Sequence, residues 1–450
     1  MIIENFITMK RIYKNTVLLC SLLCLMTLVA CGQNPSKEGA KSHDPLLPDM
    51  RHLDSLRERV EESFPFVNYS ANVIHFDSTS PTMNHLLDKW QQVAAGNGTL
   101  NIVHIGASHV QGGMMPHRIR CNILSAYPDR VGARGYIFPY SAAAKCNNPL
   151  DYKVHCKESV ALTRCVYKEP EVALGVGGIA VTLHDSLASV QVVNNETRFD
   201  FRTQKVLPIG EWQADSGVVD ECPYKLDIHL SPDSFEVQFP CDSVWSYNLR
   251  GFLLQGPSTG FTYHSIGVNG AAVPDYNRCP LFCHDLRLLQ PDLVIFGIGI
   301  NDASGPNFDT AVFRRNYLQL IDSIRSVNPR CAFIFITNND SFKKVRRNRY
   351  NVNPNGQLAC EVFYRLAEET GGAVWDQFEV MGGLKSMDKW RESKLAQPDR
   401  VHFTRAGYEL IGDLFSEAWL KVVEADARRK MESSIQSTNQ QYNRPPIPQY

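Results

Sequence analysis

Four short stretches of this sequence hold the residue types from which a nucleophilic site can be assembled. They are Gly106-Ala107-Ser108-His109, Ile266 to Ala271 (IGVNGA), Gly297 to Asp302 (GIGIND) and Asp399 to Phe403 (DRVHF). A serine hydroxyl is a weak nucleophile and needs an adjacent base. His402 supplies an imidazole, and one tight loop can present it together with Asp399, three residues earlier. A carboxylate so placed fixes the tautomer and stabilises the imidazolium. A developing oxyanion needs donors aimed at it. The backbone N–H groups of Ser108 and Gly270 can serve, since glycine lets the chain approach closely, and the Asn301 amide offers a third donor. Each stretch also has a plain reading. Ser108 could cap a helix, Asn301-Asp302 could be a turn, Asp399 could cap the helix after His402, and His402 could be an ordinary surface or core histidine.

The elements around these stretches determine whether they meet. Ile102–Gly113 (IVHIGASHVQGG) begins apolar and ends in small and polar residues, as a buried strand does when it stops in a glycine-flanked turn. Ser108 then sits where a parallel strand hands over to a helix, the edge at which open α/β sheets bind ligands. Strands are expected at Asn101–Ile105, Asp292–Ile298, Cys331–Thr337 and Ala373–Asp376. Helices are expected at Leu53–Phe64, Asn84–Ala95, Pro116–Ala126, Phe308–Ser326, Asn355–Glu369 and Phe403–Ala425. Between Lys145 and Leu254 the texture changes to short alternating runs, Val181–Leu183, Ser189–Val193, Thr197–Phe201, Lys225–Leu230 and Ser234–Phe239. Turn residues such as Pro208-Ile-Gly210 break them up, which points to a β-sandwich. The simplest arrangement is one α/β domain interrupted by a β insert.

Taken in order, the serine block, the glycine block, G-x-N-D and D-x-x-H resemble the signature blocks of the GDSL/SGNH esterase family. The resemblance implies an SGNH-type, flavodoxin-like parallel sheet flanked by helices. It makes Ser108 the nucleophile, Asp399 and His402 the remaining triad members, and Gly270 and Asn301 oxyanion donors alongside Ser108. One departure is Ala107, where the family usually carries Asp. A β module placed within such a domain resembles the arrangement in peptidoglycan O-acetylesterases. The expected activity is hydrolysis of O-acyl groups, acetyl foremost, on a cell-envelope or other glycan, with no cofactor. The alternatives are an O-acyltransferase acting on a polysaccharide and an inactive glycan-binding lipoprotein.

The chain ends and composition bound the rest. A formal net charge of −1 over 450 residues argues against nucleic acid or an anionic membrane surface as a bulk partner. Lys10, Arg11 and Lys14 precede the apolar run Thr16–Ala30, and Leu28-Val29-Ala30-Cys31 resembles a lipobox, so lipidation at Cys31 and a lipid-anchored place in a bacterial envelope are expected. The expected organisation is a signal at 1–31, a tether and helices at 32–98, the hydrolase domain at 99–144 and 255–425, the insert at 145–254, and a disordered tail at 426–450. Gly256-Pro257-Ser258-Thr259-Gly260 spells G-x-S-x-G, but a β-like run follows it where a nucleophile elbow needs a helix. No metal site is expected. Cys279-x3-Cys283 lacks a second ligand pair, and His104, His109, His117 and His264 read as core or pocket-wall residues.

Overall fold

The computed structural model describes residues 44–442, apart from 144, 145, 147, 158, 159, 197, 215–220 and 348. The expected signal at 1–31 and Cys31 lie outside the described residues. In chain order the first strands are β1 (Ile74–Phe76), β2 (Thr99–Gly106), β3 (Gly135–Ile137), β4 (Tyr152–Cys156), β5 (Ala161–Arg164), β6 (Ile179–Leu183), β7 (Ala188–Asn194), β8 (Lys205–Ala214), β9 (Asp227–Ser231) and β10 (Ser234–Phe239). They are followed by β11 (Trp245–Gln255), β12 (Gly260–Gly267), β13 (Leu293–Gly297), β14 (Ala332–Ile336), β15 (Phe342–Arg346), β16 (Arg349–Val352) and β17 (Ala373–Trp375).

The central sheet runs β1-β17-β14-β13-β2-β12, with β1 antiparallel to β17 and the other neighbours parallel. Numbered by chain order, its five parallel strands follow the 2-1-3-4-5 sequence of a flavodoxin-like sheet. The order reverses between β2 and β13, and ligands bind outside the carboxyl ends at that point. Adjacent residues on a strand face opposite sides. Ile102, Ile295 and Ile334 pack against Trp90, Ile119 and Leu414 of the helices Pro81–Ala94, Met114–Ala126 and Arg405–Tyr442. Val103, Phe296 and Phe335 pack on the other side with Tyr317 and Phe363 of the helices Thr310–Val327 and Asn355–Thr370. With both faces covered, the strands need to be apolar throughout, which is why they read as unbroken apolar runs.

Two antiparallel sheets, β4-β7-β10-β9 and β3-β11-β6-β5 with β8 also paired to β11, make up the inserted part. They meet face to face through Phe235–Phe252 and Phe239–Tyr247, with ring centroids 5.1 and 5.0 Å apart. The expected strands at Val181–Leu183, Ser189–Val193, Lys225–Leu230 and Ser234–Phe239 correspond to β6, β7, β9 and β10. Residues 198–201 form no strand, and Thr197 lies outside the described residues. The first strand of these sheets is β3, ten residues ahead of the expected boundary at 145. The largest departure is β8, which runs straight through Pro208-Ile-Gly210. It lies off the main sheet path and pairs with β11, so Pro208 needs no second ladder partner.

The insert is not a separate globule. Val181, Leu249 and Phe252 share one buried cluster with Val268, Phe296 and Tyr317. The buried Arg134 guanidinium pairs with the buried Asp151 carboxylate, and Arg134 Nη1 also donates to the Tyr263 carbonyl on β12 at 3.2 Å. Burial alone would raise the Asp151 carboxyl, but Arg134 outweighs it and holds the group ionised below its usual range. At the other end, the last helix runs on to Tyr442, where a disordered tail was expected from 426. The pairs Glu424–Arg428, Asp426–Arg429 and Asp426–Lys430 sit at i,i+3 and i,i+4 and support helix beyond the last packed turn. Among the described residues no helix is long and apolar enough to cross a membrane.

Removing one partner of a buried ion pair leaves the other charge uncompensated. Asp151→Ala should therefore destabilise the fold by about 3–5 kcal/mol, read as a lower urea midpoint. A loss below about 1 kcal/mol would mean that the pair does not join insert to sheet as described.

Candidate active site

The turns that carry the motif residues start at one level. Gly106, at the end of β2, is in register with Gly267 of β12 on one side and Gly297 of β13 on the other. Ser108 lies two residues beyond that level, at the start of the short helix Ser108–Gln111. A Cβ at Gly267 would stand 2.3 Å from the Gln111 backbone nitrogen, so a side chain there would push into the serine turn. That close approach is the job of Gly267.

His402 reaches Ser108 from the far end of the chain. Its Nε2 is 2.8 Å from Ser108 Oγ, and its Nδ1 is 2.7 Å from Asp399 Oδ2. The backbone N–H groups of Val401 and His402 both donate to Asp399 Oδ1 at 3.0 Å. Partial burial works against ionisation of Asp399, but the bonds from the His402 ring and these N–H groups outweigh it and hold the carboxyl at about 2. Ser108, His402 and Asp399 thus form one hydrogen-bonded chain with the partners on opposite nitrogens of the ring. That geometry lets the imidazole take the serine proton while the carboxylate steadies the charge that forms.

Several supports for the loop at 397–403 have no obvious mark in the sequence. The Gln397 N–H donates to the His402 carbonyl at 2.7 Å and closes the loop. Arg400 takes a left-handed conformation, φ +59°, unusual for a non-glycine residue. Its guanidinium lies over the rings of Phe342 and Tyr350 on the hairpin β15–β16 and forms an ion pair with Asp388 at 3.1 Å. Asn339 Nδ2 donates to the Val401 carbonyl at 3.0 Å. His109 packs its ring on His402, centroids 5.1 Å apart, and shares a 2.8 Å bond with the Tyr408 hydroxyl. Burial first, and then the neighbouring His402, lower the His109 imidazole to about 3. It stays neutral beside a ring that must become charged.

The expected oxyanion donors lie in the two flanking turns. Gly270 has φ +84°, and a Cβ there would meet nothing within 4 Å. Asn301 Nδ2 donates to the Ala271 carbonyl at 2.9 Å, fixing its amide against the Gly270 turn and leaving a second N–H on the same nitrogen. The neighbouring Asp302 accepts the Val273 N–H at 3.2 and 3.3 Å. Burial raises this carboxyl to about 7, against that N–H.

The other sequence candidates lie elsewhere. Ser258 precedes β12, and Gly260 pairs with Thr99 at the amino end of β2, so Ser258 is on the opposite edge from Ser108. His104 bonds the Tyr263 hydroxyl at 2.8 Å and His264 accepts the Tyr136 N–H at 2.9 Å; both are core residues. The thiols of Cys279 and Cys283 donate to different carbonyls, of Asp275 and Ser323. His117 faces Cys121 and Glu196.

Residues 243–410 match the model of the GDSL-like Lipase/Acylhydrolase family. The chain carries a GDSL-like lipase/acylhydrolase domain. It is a carboxylic-ester hydrolase on an SGNH-like fold. The match takes in the turns of Gly270 and Asn301 and the Asp399–His402 loop; Ser108 falls outside it, on the far side of the insert. A solved structure of a peptidoglycan O-acetylesterase is 20% identical, with a TM-score of 0.61, covering 80% of this chain and 98% of that one. This likeness is one of fold. That share is too large for the α/β portion alone, so it extends into the antiparallel sheets. The lipase/acylhydrolase from Enterococcus faecalis (23% identical, TM-score 0.27, 36% of this chain and 77% of that one) and an acetyl xylan esterase (19%, 0.29, 35% and 81%) also match. No curated protein matches the sequence.

Asp302 gives a pH test of the site's surroundings. Its folded carboxyl holds its proton more tightly than the usual 3.8, so this contribution to stability is full below that value and is lost as pH rises through about 7. Asp302→Asn keeps an acceptor for Val273 and removes the titration. The variant should gain in urea midpoint relative to the native chain between about pH 4 and about pH 8. Parallel profiles would show that Asp302 is ionised in the folded protein throughout.

Proposed function

We propose that the protein is a serine esterase that removes O-acyl groups, acetyl foremost, from a cell-envelope glycan. The hydrogen-bonded chain Ser108–His402–Asp399 carries this reading. Ser108 Oγ attacks the ester carbonyl while His402 Nε2 takes its proton. The oxyanion is met by N–H groups from the turns of Ser108, Gly270 and Asn301. His402 then protonates the departing sugar alcohol, and water, activated by the same imidazole, releases the acid from the acyl-serine. No step needs a cofactor.

Two observations support the glycan. The neighbour whose fold spans both the α/β part and the antiparallel sheets is a peptidoglycan O-acetylesterase. The basic-then-apolar N-terminus ending at Cys31 suits an anchored envelope protein. In the insert, Tyr247 is buried in the sandwich, whereas Trp212, Tyr224 and Trp245 are half-buried.

The test is acetate release from a panel of acetylated glycans, with wild type and Ser108→Ala run side by side. At least one glycan should be deacetylated, with the rate falling by at least about 10⁴-fold in the variant. Activity retained by Ser108→Ala would overturn the assignment. Acetate transferred to a glycan acceptor in place of release would make the enzyme an acyltransferase using the same residues.

A further inference from the structure

A second cluster of reactive side chains lies apart from the triad. The helix Met114–Ala126 presents His117 and Cys121 one turn apart on one face. Glu196, in the loop after β7, reaches the same place. His117 Nε2 is 2.6 Å from Glu196 Oε2 and 3.5 Å from Cys121 Sγ, and Cys121 Sγ is 3.9 Å from Glu196 Oε2. Among the described residues this is the one group of three such side chains whose donor atoms all lie within 4.8 Å of one another.

The arrangement does not suit a second triad. In Ser108–His402–Asp399 the hydroxyl and the carboxylate sit on opposite ring nitrogens. Here the carboxylate takes Nε2, and the thiol lies beside the ring, nearer that same nitrogen (3.5 Å) than Nδ1 (4.0 Å), so the two are not divided between opposite nitrogens as a relay needs. Three donor atoms gathered this closely are what a metal ion requires, with a turn of the Cys121 side chain to bring Sγ onto the Nε2 side. Thiolate, imidazole and carboxylate bind zinc at about 2.3, 2.0–2.1 and 2.0–2.2 Å. Around a tetrahedral ion such donors lie roughly 3.4–3.6 Å apart, so the sulfur distances are nearly in place and the His117–Glu196 pair must open by roughly 0.8 Å.

The surroundings are built for it. Glu196 Oε1 accepts the Arg198 N–H at 2.8 Å, and the Glu196 N–H is held by Asn194 Oδ1 at 2.8 Å, which orients the carboxylate and leaves Oε2 toward the cluster. Cys121 is a reduced, buried thiol. Beside it the buried Arg120 guanidinium has an Nη1 with no hydrogen-bond partner, and it favours anionic donors. We propose that His117, Cys121 and Glu196 bind one divalent transition-metal ion, zinc by its donor chemistry, with the fourth position open to solvent. On binding, the thiol proton of Cys121 is released and the His117 nitrogen coordinates in its neutral form. The ion staples the helix that follows Ser108 to the sandwich loop after β7, and it takes no part in the ester chemistry.

The test uses the full chain stripped with a chelator and titrated with Zn(II) or Co(II). One equivalent of zinc should bind, and Co(II) should give a near-ultraviolet thiolate charge-transfer band. Loss of an outer-shell partner costs about 10–100-fold in affinity, so Cys121→Ser and Glu196→Gln should each cost at least about tenfold. The band should vanish in Cys121→Ser and persist in Cys360→Ser. Zinc should raise the melting midpoint of wild type and not of Cys121→Ser. Circular dichroism of the stripped variants establishes that they are folded. Absence of stoichiometric zinc, or a band unchanged in Cys121→Ser, would overturn the proposal.

Discussion

The hydrogen bond from Ser108 to His402 Nε2 spans 294 positions of sequence, and the rest of the architecture can be read as the means of making it. Neither residue is reactive alone. A serine hydroxyl remains a poor nucleophile until a base stands at hydrogen-bonding distance. The bond exists because β2 and the loop after the helix Ser386–Glu392 end at one edge of the central sheet. It is directional because Asp399 holds the other face of the ring.

Two constraints act on it from opposite sides. On the serine side the register of Gly106 with Gly267 and Gly297 brings three turns to one height. On the histidine side a strained residue, Arg400, is held by cation–π contacts to a hairpin outside the main sheets and by an acidic partner. A left-handed non-glycine residue persists only where its surroundings over-determine it, and here they present Asp399 and His402 together. The neutral His109 backs the same ring.

The parts of this account visible in the sequence are those with local signals. Buried parallel strands appear as apolar runs because both faces are covered, and the motif turns follow them because ligands gather at carboxyl ends. What stayed hidden depends on partners remote in sequence. Pro208 and Gly210 are turn residues until β8 is known to be paired along one side only. The tail lacks an apolar face, and its helix rests on charge pairs and on continuity with the packed turns before it. Arg400 and the β15–β16 hairpin carry no recognisable motif. The His117–Cys121–Glu196 cluster draws its third member from 75 residues beyond the second, across the five strands β3 to β7. The one local trace was a Cys placed a helical turn after a His.

Two histidines in this fold meet a carboxylate and a second polar partner, and they differ in which nitrogen each partner takes. On His402 the partners are divided between the two nitrogens, which suits proton transfer; on His117 both lie nearest Nε2, on one side of the ring, which suits an ion. The claim that the divided arrangement makes Ser108 reactive is tested most directly by treating the protein with a fluorophosphonate and mapping the adduct by peptide mass spectrometry. The account predicts a single adduct on Ser108 that is lost when His402 is replaced by Ala. An adduct on Ser258, or turnover of an acetyl ester with Ser108 unlabelled, would contradict it.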